Sequence, residues 1–287
     1  MAKIDVIDEL SLPGSAERVN EDALGATGTI AFVLDGVTGL ADAPLLPGKS
    51  DAAWVAGAAR DLLLELGQGR AGDLRGLIKL VENGIASRFE RERLRVPSER
   101  YELPWTTLSL IGITAGTLHL AYLGDSRILV ETADGEIHNF GTNPTRSAFE
   151  QRLSARVVKE RKTSGLGVDA IRATVLPELR RARNTVNSGN GYWLLGAEGD
   201  VATHAAVTSL ALNGPATVLL STDGFYALRE DYAVFDDRDL IATAQTLGLA
   251  QLGAQLRRIE EADATGERYP RMKTSDDATA ILVRAEP

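Results

Sequence analysis

The chain has 287 residues, of which 44% are hydrophobic, 25% charged and 5% aromatic, a composition that supports a large core and excludes a disordered or fibrous chain. Its formal net charge of -9 argues against a protein that binds nucleic acid or an anionic membrane through its overall charge. There is no cysteine, so disulfides, thiolate metal sites and a cysteine nucleophile are excluded; with no signal-like or bilayer-length apolar run, a cytoplasmic protein is expected.

No repeat period is visible. Ile30 to Leu34 reads as a short apolar strand ending in Asp35-Gly36, followed by a Gly/Pro-rich loop through Pro44, Pro47 and Gly48. Ser50 reads as an N-cap before a helix carrying Trp54, Ala58, Leu62 and Leu66, stopped at Gly67. A second helix is predicted from about Asp73, with an apolar stripe of Leu74, Leu77, Ile78, Val81, Ile85 and Phe89 and with Arg75, Lys79 and Glu82 facing water. Strands are then predicted at Leu108 to Ile113, Leu118 to Leu123 and Ile128 to Thr132, with turns at Ala115-Gly116 and Asp134-Gly135.

From Ser147 the period becomes helical. Ser147 to Glu150 fits a capping box, Phe149, Leu153 and Val157 form one face, and Ile171, Val175 and Leu179 form another with a break or kink at Leu176-Pro177. Strands follow at Tyr192 to Leu195, Ala205 to Leu212 and Thr217 to Ser221, then helices at Asp239 to Leu247 and Leu249 to Glu261, and a final strand from Ala278 to Arg284. This order predicts an α+β layered fold rather than a βαβ wheel. We read one domain, 1–287, with a helical insert at 143–190.

The chemistry gathers where strands end. Asp22, Asp35, Asp125, Asp223 and Asp276 each lie at the end of an apolar run, beside a glycine or another polar residue. A carboxylate beside a buried strand is costly to ionise without a positive partner, and too few Lys or Arg lie nearby to pair them all. Taken together they suggest hard divalent ions such as Mg2+, Mn2+ or Ca2+, which take all-oxygen ligation. Gly36 would leave its own carbonyl uncrowded for such an ion. Any one of these aspartates alone reads as a turn residue, as Asp134 does. The set, its order and its flanks favour the metal reading.

These residues resemble the metal-dependent Ser/Thr protein phosphatases, the protein phosphatase 2C-like family, in a bacterial-type form. The family's ordered motifs correspond here to Asn20-Glu21-Asp22, Asp35-Gly36-Val37-Thr38-Gly39, Gly124-Asp125-Ser126-Arg127, Thr222-Asp223-Gly224 and Asp276-Asp277-Ala278-Thr279. The resemblance implies a four-layer α-β-β-α sandwich of two antiparallel sheets flanked by helix pairs, with the insert as a flap. It implies two tightly bound Mn2+ or Mg2+ ions and room for a third. Asp35 would bridge two ions, Asp22 and the Gly36 carbonyl would hold one, and Asp223 and Asp276 the other. Asp125 would help hold the third, weaker ion, and Glu21 would act through metal-bound water. The implied reaction is hydrolysis of phosphoserine and phosphothreonine in phosphoproteins by a metal-bridged hydroxide, opposite a Ser/Thr kinase, by a monomer with no nucleic-acid or membrane partner.

Three departures are visible. The position of the family's phosphate-binding arginine holds Glu17, and Arg18 stands one residue closer to Asp22, which on a regular strand would turn it to the other face unless a bulge intervened. Val37 stands where some members have a histidine; His119, His138 and His204 read as ordinary surface or strand residues. Asp277 replaces the usual asparagine, where it would tighten metal binding or face solvent. A haloacid-dehalogenase phosphatase, a P-loop NTPase and an α/β-hydrolase are excluded by missing motifs. The alternative from another class is a catalytically silent member acting as a binding or regulatory module. Finally, residues 146–184 carry ten basic and four acidic residues, a net +6 that leaves -15 on the rest. That face either merely offsets the acidic body or steers anionic substrate to the cleft.

Overall fold

The computed structural model describes residues 2–141, 144–164, 168–189 and 191–287. Within 144–172, the side chains at 144–148, 150–151, 161–162, 164 and 168–172 lie outside the described set. The capping box read at Ser147 and Glu150, the apolar contact of Ile171, and the Arg146, Arg161, Lys162 and Arg172 side chains therefore lie outside the described residues.

The chain begins with strands β1 (Lys3–Leu12), β2 (Asp22–Ala26) and β3 (Ile30–Asp35) and helices α1 (Asp51–Leu66) and α2 (Leu74–Glu92). Strands β4 (Trp105–Thr106), β5 (Leu108–Thr114), β6 (Thr117–Leu123), β7 (Arg127–Glu131) and β8 (Ile137–Phe140) follow. Then come α3 (Pro144–Ser164), α4 (Val168–Arg183), β9 (Leu195–Gly196), α5 (Val201–His204), β10 (Ala206–Ala211) and β11 (Ala216–Ser221). The chain closes with α6 (Asp223–Glu230), α7 (Asp237–Leu247), α8 (Leu249–Ala262) and β12 (Ala278–Glu286).

Two five-stranded antiparallel sheets form, in the orders β1-β12-β11-β7-β8 and β10-β6-β5-β3-β2. Their facing surfaces supply a common core of Val33, Ile111, Leu120, Ile128, Val218, Ile281 and Val283. The opposite faces are covered by helices. Phe32, Leu34 and Leu110 pack under α1 and α2, and Leu129, Leu219 and Leu282 pack under α6, α7 and α8. This is the expected α-β-β-α layering. Strands buried on both faces read as continuous apolar runs, which is why β3, β5 and β11 were legible in the sequence.

The predicted helix caps are present. The Ser50 side chain accepts the Ala53 N–H, and Asp73 accepts the Gly76 N–H. The stripe of α2 is buried throughout. Glu82 is a correction: it is buried rather than solvated, accepting the Val201 N–H at 3.1 Å and pairing with Lys79 at 3.3 Å. It thereby satisfies an orphan donor at the start of α5.

Of the break or kink read at Leu176-Pro177, the break is absent: Pro177 lies inside α4, which continues across it, and the carbonyl released four residues back belongs to exposed Ala173, where water can replace the lost bond. A further correction has a clear cause. The strand read at Tyr192 to Leu195 shrinks to β9, because Asn187 takes the place of a strand partner. Its side chain accepts the Leu194 N–H at 2.7 Å and donates to the Leu194 carbonyl at 2.9 Å. Asp134-Gly135 is a turn and nothing more, with Gly135 N–H bonded to the Thr132 carbonyl.

The helices of the insert share a small apolar contact of Leu153, Val157 and Val175, joined by Phe149 and Leu179 as predicted, and by Met272 from outside the insert.

Candidate metal centre

Antiparallel pairing places the acidic residues at one end of the sandwich. Asp22 opens β2 and Asp35 closes β3, and the two are direct register partners. Asp125 sits in the turn that carries the chain from β6 in one sheet to β7 in the other. Gly124 takes φ +83° there, a conformation that favours glycine. Asp223 follows β11 as the first residue of α6, and Asp276 lies just before β12, which pairs with β11. All except Asp22 line one cleft of about 1410 Å³, with Glu21, Gly36, Arg18, Arg183 and Lys273.

Carboxylate oxygens of Asp35, Asp125 and Asp223 all lie within 4.8 Å of one another. Oxygens on opposite sides of a divalent ion, each about 2.0–2.6 Å from it, span such a distance. This hard, all-oxygen donor set fits Mg2+ or Mn2+. The geometry brings Asp125 next to Asp35 and Asp223. Asp276 lies outside that trio, and its Oδ1 accepts the Lys273 ammonium at 2.7 Å and the Asp277 N–H at 3.0 Å.

Hydroxyl groups fix the frame. Thr107 Oγ1 accepts the Asp35 N–H at 3.1 Å, while the Thr107 N–H donates to the Asp35 carbonyl at 2.9 Å. Thr107 and Ser126 hydroxyls lie 2.6 Å apart, linking the Asp35 and Asp125 turns. The Glu21 carboxylate accepts hydroxyls from Thr38, at 2.6 Å, and from Ser50, the cap of α1. Ser50 was legible as a cap; its second role was not, because it depends on a contact 29 residues away.

Asp22 is half-buried, and burial raises its pKa, helped by the nearby carboxylates of Asp277, Asp276 and Asp223. The Thr222 hydroxyl, donating at 3.0 Å, only partly offsets this. The folded state therefore holds the Asp22 proton more tightly than the unfolded chain does, and ionising it as pH rises costs stability. A cation would remove that cost.

Asp277 follows neither expectation. Its two oxygens accept the Gly14 and Glu21 N–H groups, each at 2.7 Å, so it fastens the 13–21 loop to the start of β12. Arg18 lies on that loop, exposed and outside any strand, so the face-parity argument does not govern it. The three histidines lie away from the cleft: His119 bonds Thr114 and Ser209, His138 stacks on Phe140 and His204 on Trp193. Arg127 of the Gly-Asp-Ser-Arg turn is structural, pairing with Glu230 of α6 at 2.7 Å beneath the Tyr226 ring.

The insert also has a structural connection to this centre. Arg180 of α4 donates to the Leu40 carbonyl at 3.0 and 2.8 Å, pairs with Asp42 and lies over the Tyr101 ring. Arg183 reaches the Thr38 carbonyl at 3.5 Å. Both therefore hold the loop that continues from Asp35-Gly36, whereas Arg181 is exposed. If the activity implied by the resemblance is this chain's, Arg180→Ala should lower turnover on p-nitrophenyl phosphate roughly tenfold, because a displaced loop beside the acidic centre loses alignment. Arg181→Glu should instead raise KM for an acidic phosphoprotein and leave the small substrate unaffected. Steady-state kinetics on both substrates separate support from steering; an unchanged Arg180→Ala would contradict the supporting role.

The protein phosphatase 2C profile matches residues 15–259. The chain belongs to the protein phosphatase 2C family. Solved structures agree in fold. The Mycobacterium tuberculosis serine/threonine phosphatase PstP/Ppp is 17% identical, with both chains covered over 100% and a TM-score of 0.59. The PstP catalytic domain in complex with two manganese ions is also 17% identical over 100% of both chains, with a TM-score of 0.58. The S. agalactiae serine/threonine phosphatase is 17% identical over 98% of each chain, with a TM-score of 0.55. No curated protein matches the chain in sequence. The protein phosphatase 2C profile ends before Lys273, Asp276 and Asp277. No described helix is long and apolar enough to cross a membrane.

Proposed function

We propose that this protein phosphatase 2C is a metal-dependent phosphoprotein phosphatase acting on phosphoserine and phosphothreonine. The observation that carries the reading is the convergence of Asp35, Asp125 and Asp223 within 4.8 Å at the mouth of a large cleft. PstP, a structural neighbour, was solved with two manganese ions, which supports Mn2+ or Mg2+ as the cofactor here. Asp22, Asp35, the Gly36 carbonyl, Asp223 and Asp276 would hold two ions and Asp125 a third. Bound divalent ions supply Lewis acidity, lowering the pKa of an attacking water and neutralising phosphoryl charge.

The chain's own residues supply the frame. Thr107 and Ser126 hold the Asp35 and Asp125 turns in register, and Glu21 is clamped by two hydroxyls at a fixed place beside them. Arg18, exposed and lining the cleft, would meet the phosphoryl oxygens of an entering substrate. The 143–190 insert acts as a flap of one phosphatase domain. A cytoplasmic location, a monomer and an opposing Ser/Thr kinase belong to the same reading.

With Mn2+ present, the purified protein should hydrolyse phosphoserine and phosphothreonine peptides and p-nitrophenyl phosphate. Phosphate release measured across that panel, with phosphotyrosine peptides for contrast, tests the substrate class. No release from any member would count against an active phosphatase and favour a silent binding module.

A further inference from the structure

Between α8 and β12 the chain forms an ordered arm, residues 263–275, built around Asp263. Its carboxylate accepts the Glu267, Arg268 and Tyr269 N–H groups at 2.9, 3.1 and 2.9 Å and the Arg271 guanidinium at 2.9 Å. Burial opposes its ionisation, but these donors hold its pKa down at about 2. Arg271 also donates to the Glu260, Tyr269 and Thr274 carbonyls at 3.0, 2.9 and 2.8 Å. The arm presents two consecutive side chains to different neighbours. Met272 packs against Leu153, Val157 and Val175 of the insert. Lys273 enters the acidic centre, its Nζ 2.7 Å from Asp276 Oδ1 and 3.2 Å from Thr38 Oγ1.

Resting on the reading of Asp276 as a metal ligand, we propose that Lys273 is a tethered counter-ion that competes with a divalent cation for Asp276. The ammonium is bonded to one of the two carboxylate oxygens with which Asp276 would meet a metal. It is delivered by a pre-formed arm, so it acts at high effective concentration. Its flexible stem allows it to withdraw when an ion arrives. The ion held by Asp276 must displace an internal cation, and its affinity is set lower than that of an ion held by Asp35 and its other neighbours. The Asp276 subsite then fills only when the metal concentration is high enough to win that exchange, which makes Lys273 a threshold device for the second ion.

Isothermal titration of the full chain with MnCl2 tests this without relying on turnover. Lys273→Gln should tighten the Mn2+ event that depends on Asp276 by roughly two- to fivefold, the size of one partly exposed ion pair. Lys273→Arg, which keeps the charge, should change it less than twofold. In an Asp276→Asn background that event should be lost, and Lys273→Gln should make no further difference. Unchanged or weaker binding at that event in Lys273→Gln, in a protein whose wild type takes up Mn2+, would overturn the proposal while leaving the metal centre intact. A wild type that takes up no Mn2+ would instead overturn the reading on which the proposal rests.

Discussion

Asp35→Asn and Asp223→Asn should each lower turnover by about three orders of magnitude or more, while the protein stays folded. The two side chains belong to the trio whose oxygens converge within 4.8 Å, so each change removes a charged ligand from the centre of the site. Neither residue belongs to an apolar core. Asp35 closes a strand held by Thr107, and Asp223 opens α6 from the surface of the cleft. In metal-free buffer the variants should melt at a higher temperature than the wild type, because one of several mutually repelling carboxylates has been neutralised. Adding Mn2+ should reverse that order, since only the wild type retains its full ligand set. Melting curves with and without Mn2+, beside p-nitrophenyl phosphate kinetics, check both halves. Near-normal turnover in either variant would remove that residue from the centre.

Gly36→Ala should be nearly as damaging for a different reason. Gly36 does not have the positive φ that usually calls for glycine; the demand is steric. A Cβ there would lie 2.4 Å from the Glu21 carbonyl oxygen and 2.8 Å from that of Ala52, and both obstacles are backbone. Relief requires the end of the 13–21 loop or the first turn of α1 to move away, which would shift Glu21 itself and its neighbours Asp22 and Ser50. We expect a stability loss of about 1–3 kcal/mol, typical of forced overpacking. Turnover should fall by about 10²-fold, the usual result of a displacement near 1 Å in a catalytic frame. Urea denaturation and steady-state kinetics measure the two effects. A variant with wild-type stability would show that the close approach is not rigid.

The acidic centre was readable because its residues lie at the ends of strands whose apolar runs are unmistakable. Asp35 follows Ile30 to Leu34, Asp125 follows Leu118 to Leu123, and Asp223 follows Thr217 to Ser221. β1 and β2 were not read, and the reason is chemical. β1 is an edge strand whose Lys3, Asp5 and Glu9 side chains face solvent, and β2 has only Ala23 buried among its five residues, with a glycine at its fourth position. α6 was hidden by its own motif, since Asp223-Gly224 reads as a turn until Phe225, Tyr226 and Leu228 are seen to bury together. Glu82 and Asn187 show another limit. Glu82 lies on the expected helix and Asn187 in the turn after α4, and the burial of each follows from a backbone partner far along the chain or across a loop. The role of Lys273 was likewise invisible, because nothing in Met-Lys-Thr-Ser predicts an arm fastened by Asp263 and Arg271.

The most direct test of the central claim is metal removal and return. Protein treated exhaustively with EDTA and desalted should have no measurable activity on p-nitrophenyl phosphate. Graded Mn2+ should restore activity with a midpoint that matches its calorimetric binding, and Asp35→Asn should show neither binding nor recovery. Full activity after complete chelation would contradict the account, since no other residue in the cleft has been assigned the work of activating water.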